Sequence, residues 1–298
     1  MLGGDSLAIM VAVGALVLVT AIWGLTFVQV KDAVELYPLF AFLAVRFAIA
    51  TVVLAPPARR PVRELPRGGW VAAAGLGLLL AVGYALQTAG LERTSVSNAG
   101  FITGLYVVFT PLAAVALFRV RIAAIVWAGV ALSTAGLALL SGGGGADGVG
   151  DLLVLAGSAA YSLQIALMER YAPRYDPVAF TFVEMLAAFA GFAVVAVALG
   201  QIELPRGWTV WGALLVTGVF ASALGFLVQT WAQQRTSATR TALAFAMEPV
   251  WAAIFGFWLA GDRLGTVAWV GAALIMAGIV VAEPAAARTL RKLVPLRA

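Results

Sequence analysis

The chain has 298 residues, of which 63% are hydrophobic and 11% charged, with a net charge of +5. That is far more apolar than a soluble domain, which excludes a soluble enzyme or a free nucleic-acid-binding module. Cysteine and histidine are both absent, which removes disulfides, thiolate and imidazole metal sites, and His-based catalysis.

A spanning helix needs roughly 20 mostly apolar residues. In chain order such stretches fall at residues 7–30, 38–56, 70–91, 95–118, 122–141, 150–170, 177–200, 208–232, 238–259 and 265–283. The expectation is an all-α membrane protein of ten transmembrane helices, with no room for a separate soluble domain. The first run lacks a basic leader and a small-residue cleavage site, so it reads as a membrane helix rather than a cleaved signal peptide. Ten spans return both termini to one side. That side carries Arg59, Arg60, Arg63, Arg67, Arg119, Arg121, Arg170, Arg174, Arg235, Arg240, Arg288, Arg291, Lys292 and Arg297. The other side carries only Lys31, Arg93, Arg206 and Arg263, and Arg46 falls inside a span. Basic loops face the cytoplasm, which puts both termini there and explains the positive charge without a nucleic-acid partner.

Several spans carry polar residues that lipid would not tolerate. The first holds Trp23 and Phe27 a turn apart, and the second holds Arg46. In the third, Tyr84 precedes Gln87 by one turn, so both share a face. The fourth offers Asn98, Ile102 and Tyr106, with a helix break expected at Pro111, while Gly100 and Gly104 have the spacing of close helix packing. The sixth presents Tyr161, Gln164 and Met168 on successive turns, and the seventh contains Glu184. In the eighth, Phe226 precedes Gln229 as Tyr84 precedes Gln87. In the ninth, Glu248 lies ten residues in, near the membrane centre by helix rise, and Pro249 loosens the helix beside it.

The amides can donate and accept, suiting an ammonium or a carboxylate, and the aromatics with Met168 suit varied apolar shapes. Interhelical bonding that only holds the bundle together is the alternative for the same residues. Glu248 is a candidate for binding an ammonium or carrying a proton, with Glu184 the other embedded carboxylate. Arg46 could form a charge pair with either. A lone charge in a span costs roughly 2.5–3.5 kcal/mol on insertion scales.

The chain also repeats itself. GYALQTAGLERTS from Gly83 and GFLVQTWAQQRTS from Gly225 match at six of thirteen positions at an offset of 142. WAGVALSTAGL from Trp127 and WVGAALIMAGI from Trp269 keep that offset. AIWGL at Ala21 resembles AAYSL at Ala159 at an offset of 138, as Thr110-Pro111 does Glu248-Pro249. The expected division is a first five-helix repeat over 1–141, a glycine-rich external linker over 142–149, and a second repeat with a basic tail over 150–298. Five is odd, so the copies run in opposite senses, the usual build of a secondary transporter with a central site. The glycine run has no lysine at the phosphate-binding spacing, so no nucleotide cofactor is expected.

Two five-helix halves, Trp23-Gly24, Glu248-Pro249 and the closing Gly271, Leu274, Ile275 and Gly278 resemble the drug/metabolite transporter superfamily, and within it the EamA family. The resemblance implies export of amino acids, other metabolites or drugs across a bacterial inner membrane. The aromatic-rich positions are most similar to an amino-acid exporter of broad or aromatic preference. Family halves commonly close their fourth helix with Leu-Gly-Glu. Here LFRVRIAAI and LAGDRLGTV stand instead, so no role for that glutamate carries over.

The expected function is therefore a secondary exporter of amino acids or similar small metabolites working by alternating access. The substrate would be lined by Trp23, Tyr84, Gln87, Asn98, Tyr106, Tyr161, Gln164, Met168, Phe226, Gln229 and Glu248. A proton-coupled multidrug or nucleoside exporter of the same fold is the alternative, and a channel or membrane-embedded transferase is further away. The partners implied are a small-molecule substrate and the bilayer, and the sequence is compatible with a homo-oligomer.

Overall fold

The computed structural model describes residues 2–94, 96–140, 148–259 and 265–282. Among them the chain is helical, with no strand. Helix α1 runs over Leu2–Leu36, α2 over Leu39–Ala58, a one-turn α3 over Pro61–Glu64, and α4 over Arg67–Leu91. An interrupted helix follows as α5 (Val96–Gly104) and α6 (Tyr106–Phe118), then α7 (Ala124–Leu140), α8 (Gly148–Tyr171) and α9 (Pro177–Ala198). The next helix has a π-helical centre, Val216–Leu224, between α10 (Gly207–Leu215) and α11 (Gly225–Gln233). A second interrupted helix is α12 (Ala238–Phe245) with α13 (Glu248–Leu259), and α14 covers Thr266–Ala282.

Local chemistry sets several of these ends. The residue before a proline is pushed out of helical conformation, and α1 stops at Leu36, ahead of Tyr37 and Pro38. It thus overruns the expected end at residue 30: Asp32 and Glu35 are exposed on the added turns, and Lys31 Nζ donates to Thr94 O at 3.0 Å. At the start of α9, the Asp176 carboxylate accepts from the backbone N–H groups of Val178 and Ala179, both at 2.9 Å. With Pro177 in the first helical position, this satisfies donors the helix start leaves open.

Among the described residues, seven helical runs are long and apolar enough to cross a membrane: Leu7–Leu36, Leu39–Ala58, Arg67–Leu91, Ala99–Phe118, Gly148–Arg174, Pro177–Ala198 and Gly207–Gln233. Ala124–Leu139 and Trp269–Ala282 are apolar but shorter. Each of the ten expected stretches has a helical counterpart, yet α7, α14 and the α12–α13 pair fall short of that criterion as continuous helices. The expected linker lies mostly outside the described residues, and Gly148 and Val149 already belong to α8.

The break expected at Pro111 falls elsewhere. Pro111 is buried inside α6, and the discontinuity is at Leu105, where Leu105 N–H donates to Ile102 O at 3.1 Å. Tighter i to i+3 bonding of this kind commonly closes a helix. In the second interrupted helix, Met247 N–H donates to Ala244 O at 3.2 Å, immediately before Glu248-Pro249.

The most extensive helix contacts run between the two halves of the chain rather than within them. Helix α7 lies against α14, α2 against α9, and α4 against α8 and α9. Helix α1 lies against α10, the π-helical stretch, α11, α12 and α13, while α8 lies against α5 and α6. Glycine makes the closest approach possible. A Cβ on Gly129 would stand 2.6 Å from Gly278 O, and one on Gly136 would stand 2.5 Å from Gly271 O. These are the glycines of the repeated tryptophan motifs, crossed so that the first glycine of each copy faces the second glycine of the other. Gly104 likewise packs against Leu137 and Pro249, but Gly100 faces open space, so the expected close packing holds at one glycine of that pair.

Candidate functional site

The helices α1, α4, α5, α6, α8, α11, α12 and α13 line a narrow central cavity. Trp23, Tyr84, Gln87, Tyr106, Tyr161, Gln164, Phe226, Gln229 and Glu248 all line it. A second small compartment shares Trp23, Tyr84, Gln87 and Glu248, and adds Phe27, Arg46 and Thr88 among others. The two compartments therefore meet around those shared residues.

Met168 belongs elsewhere. It is fully buried with Leu65, Leu76, Phe180 and Val183 in a separate apolar cluster between α4, α8 and α9. Two turns beyond Tyr161, the same helix face has already left the cavity. The Asn98 side chain lies outside the described residues.

The aromatic wall is assembled from five helices, α1, α4, α8, α11 and α12. The Trp23 ring lies 4.8 Å from that of Phe245, edge to face, and 5.5 Å from that of Phe226. The Tyr84 ring lies edge-on to Tyr161 at 5.4 Å and to Phe226 at 6.2 Å. The Trp23 indole N–H donates to Ala221 O at 2.8 Å, within the π-helical stretch. A π-helical segment shifts the backbone bonds and re-aims its groups; here it turns a carbonyl to Trp23 and the Ser222 hydroxyl to Arg46.

Both glutamines singled out by the repeat are lining groups and interhelical ties at once. The Gln87 amide donates to Thr103 Oγ1 at 2.9 Å and accepts from the Tyr161 hydroxyl at 2.9 Å, joining α4, α5 and α8. The Gln229 amide donates to Gln164 Oε1 at 3.0 Å and to Gln233 Oε1 at 2.9 Å. Gln233 in turn donates to Ile165 O at 2.8 Å, and Gln164 donates to Glu184 Oε1 at 2.7 Å. Lining and packing were alternatives in the sequence; the geometry satisfies both.

The three embedded charges differ in their surroundings. Arg46, 2% exposed, donates through Nε to Ser222 Oγ at 2.8 Å and through Nη2 to Tyr84 Oη at 3.0 Å, with its guanidinium carbon 4.5 Å from the Tyr84 ring centre. Glu248, 7% exposed, holds Oε2 3.0 Å from Tyr106 Oη, whose single hydrogen is shared between that carboxylate and Phe245 O at 2.6 Å. Glu184 is fully buried on α9, and its Oε2 has no partner among the described residues. Neither of the expected charge pairs forms. Among the described residues no ion pair joins Arg46 to either glutamate, because Ser222 and Tyr84 hold its fork while Glu248 faces it across the second compartment. Among the described residues no three potential metal-ligating side chains cluster.

Leu80, Thr103, Ile165 and Phe245 also line the main cavity. Spacing could have found three of them: Leu80 is one turn before Tyr84, Ile165 one turn after Tyr161, and Phe245 one turn before Glu248. Thr103 sits one turn before Tyr106 but carries no signal by residue type, since buried threonines abound in such helices.

A model of the EamA-like transporter family matches the chain twice, over residues 10–142 and 148–282. A protein of Archaeoglobus fulgidus called an uncharacterized transporter is 32% identical over 271 residues, covering 89% of this chain and 83% of that one. The uncharacterized inner membrane transporter YedA of Escherichia coli K12 is 27% identical over 285 residues, covering 90% and 89%. A solved crystal structure superposes with a TM-score of 0.76 at 22% identity, over 94% of this chain and 98% of that one, which indicates a shared fold.

Proposed function

The chain belongs to the EamA-like transporter family, and on that premise we propose that it is a secondary transporter that exports amino acids or similar small metabolites by alternating access. It is a multi-pass membrane protein; the ten-span arrangement with both termini in the cytoplasm of a bacterial cell is part of the proposal. So is the division into repeats at 1–141 and 150–298 joined by 142–149. The two family matches, over 10–142 and 148–282, support a division of this kind. The contact pattern supports a two-fold relation between the halves: exchanging each helix for its partner in the other half maps α7–α14 and α2–α9 onto themselves, and α4–α8 onto the α1–α11 contact; five spans per half would make that relation an inverted one. An internal two-fold of this kind lets one site be opened from either side by similar movements.

The observation that carries the substrate class is the cavity shared by both halves. Its wall combines Trp23, Tyr84 and Phe226 with the amides of Gln87, Gln164 and Gln229 and one carboxylate, Glu248. Apolar rings accommodate side chains of different shape, and the few polar groups fix orientation. Asn98 remains in the proposed lining, and Pro249 remains the proposed helix break beside Glu248.

The test is counterflow: purified protein in liposomes loaded with unlabelled amino acid, with uptake of labelled phenylalanine, threonine or methionine followed in time. Saturable transient accumulation, reduced in folded Gln87→Ala and Gln229→Ala, supports the proposal. No accumulation with any amino acid, alongside exchange of lipophilic cations or nucleosides, favours the second reading, a proton-coupled drug or nucleoside exporter. That reading draws on the two embedded carboxylates, Glu248 and Glu184.

A further inference from the structure

Arg46 lines the second compartment together with Glu248, yet the amino-acid reading gives it no task. Two opposite charges buried in one compartment without touching is an expensive arrangement, since each has been taken out of water. Were the role only structural, contact between them would recover part of that cost. Instead Arg46 is braced by two neutral oxygens, Ser222 Oγ and Tyr84 Oη, and Glu248 by the Tyr106 hydroxyl.

What each leaves unfilled is specific. Among the described residues Arg46 Nη1 has no hydrogen-bond acceptor, and Tyr84, whose oxygen already accepts from Arg46, has no acceptor for its own hydrogen. Across the compartment, Glu248 Oε1 has no donor and is not sealed off, unlike Glu184 Oε2, which is. Spare donors on one side therefore face a spare charged acceptor on the other. The main cavity, with Leu80, Ile165, Phe226 and Phe245, continues from this compartment through the shared residues.

Resting on the amino-acid reading above, we propose that the second compartment is a head-group site for a zwitterion: Arg46 and Tyr84 hold its carboxylate, Glu248 holds its ammonium, and the main cavity takes its side chain. A zwitterion completes both ends at once. An amine would leave the guanidinium unmatched, and an acid would leave the carboxylate unmatched. A site built to bond a polar group strongly rejects an analogue that lacks it, because the buried partner is left unpaired.

The experiment is competition in wild-type counterflow, using whichever labelled amino acid exchanges among phenylalanine, threonine and methionine. The competitors are the same amino acid, its methyl ester, which lacks the carboxylate, and its N-acetyl form, which lacks the ammonium. The expected result is that both derivatives compete at least about tenfold more weakly than the parent. Exchange of the parent with derivatives that compete equally well overturns the head-group site and leaves amino-acid transport standing. Failure of every amino acid to exchange, while another solute does, overturns the transport reading and this inference with it. In Arg46→Gln the preference for parent over ester should collapse toward one, while the preference over the N-acetyl form persists. Glu248→Gln should show the converse. If either variant does not fold, the wild-type panel decides alone.

Discussion

Glu248 and Glu184 are both buried carboxylates on helices of the second half, and their neighbourhoods could hardly differ more. Glu248 sits where α12 gives way to α13, beside Tyr106, on the wall of a cavity that also holds Arg46. Glu184 sits mid-helix on α9, away from the cavity wall, held by a single amide, Gln164, at the end of a chain of glutamines through Gln229 and Gln233. Near-equivalence in residue type and burial thus conceals a difference in access: one carboxylate faces space a solute could occupy, and the other faces protein. On this account the first contacts substrate and the second reaches it only through Gln164, which lines the cavity.

The largest expected effect is on Glu248. Glu248→Gln keeps size and one acceptor but removes the charge, and amino-acid counterflow should fall at least about tenfold in folded protein. Next is Gln164→Ala, which strips Glu184 Oε1 of its donor and Gln229 of an acceptor. Leaving buried polar groups unpaired costs about 1–3 kcal/mol each, read as a clear drop in thermal stability in detergent. Trp23→Phe keeps a ring but frees Ala221 O, and should cost about 1 kcal/mol of stability while weakening exchange only modestly. The smallest effect belongs to Glu184→Gln. It retains an oxygen for Gln164 and removes an unpaired buried charge, so counterflow should stay within about threefold of wild type and stability should not fall. A large loss there, with Glu248→Gln silent, would invert the comparison.

Much of this site could be read from helical spacing. Aromatic–amide pairs one turn apart, Tyr84 with Gln87, Phe226 with Gln229 and Tyr161 with Gln164, do share the cavity, because neighbours at i and i+3 project from one face. What spacing missed depends on how helices tilt and distort. Met168 continues the Tyr161 face along the sequence, yet α8 carries it into the cluster with Phe180. Pro111 is tolerated inside α6, and the break moves to Leu105.

The π-helical stretch had no warning. Its counterpart by the repeat, residues 74–82, is regular helix inside α4, and VTGVFASAL contains no proline to announce a distortion. Arg46 was legible as a buried charge, but its partners were not. Ser222 reaches it only because that stretch turns the hydroxyl inward, so pairing it with a glutamate was the natural expectation from sequence.

The central claim is that the cavity beside Glu248, and not the amide-enclosed Glu184, contacts the transported solute. The most direct test is counterflow of a labelled amino acid into liposomes carrying wild type, Glu248→Gln or Glu184→Gln, each shown to be folded by its thermal transition. The account predicts saturable exchange in wild type and Glu184→Gln, with at least a tenfold loss in Glu248→Gln. Undiminished saturable exchange in folded Glu248→Gln would contradict it.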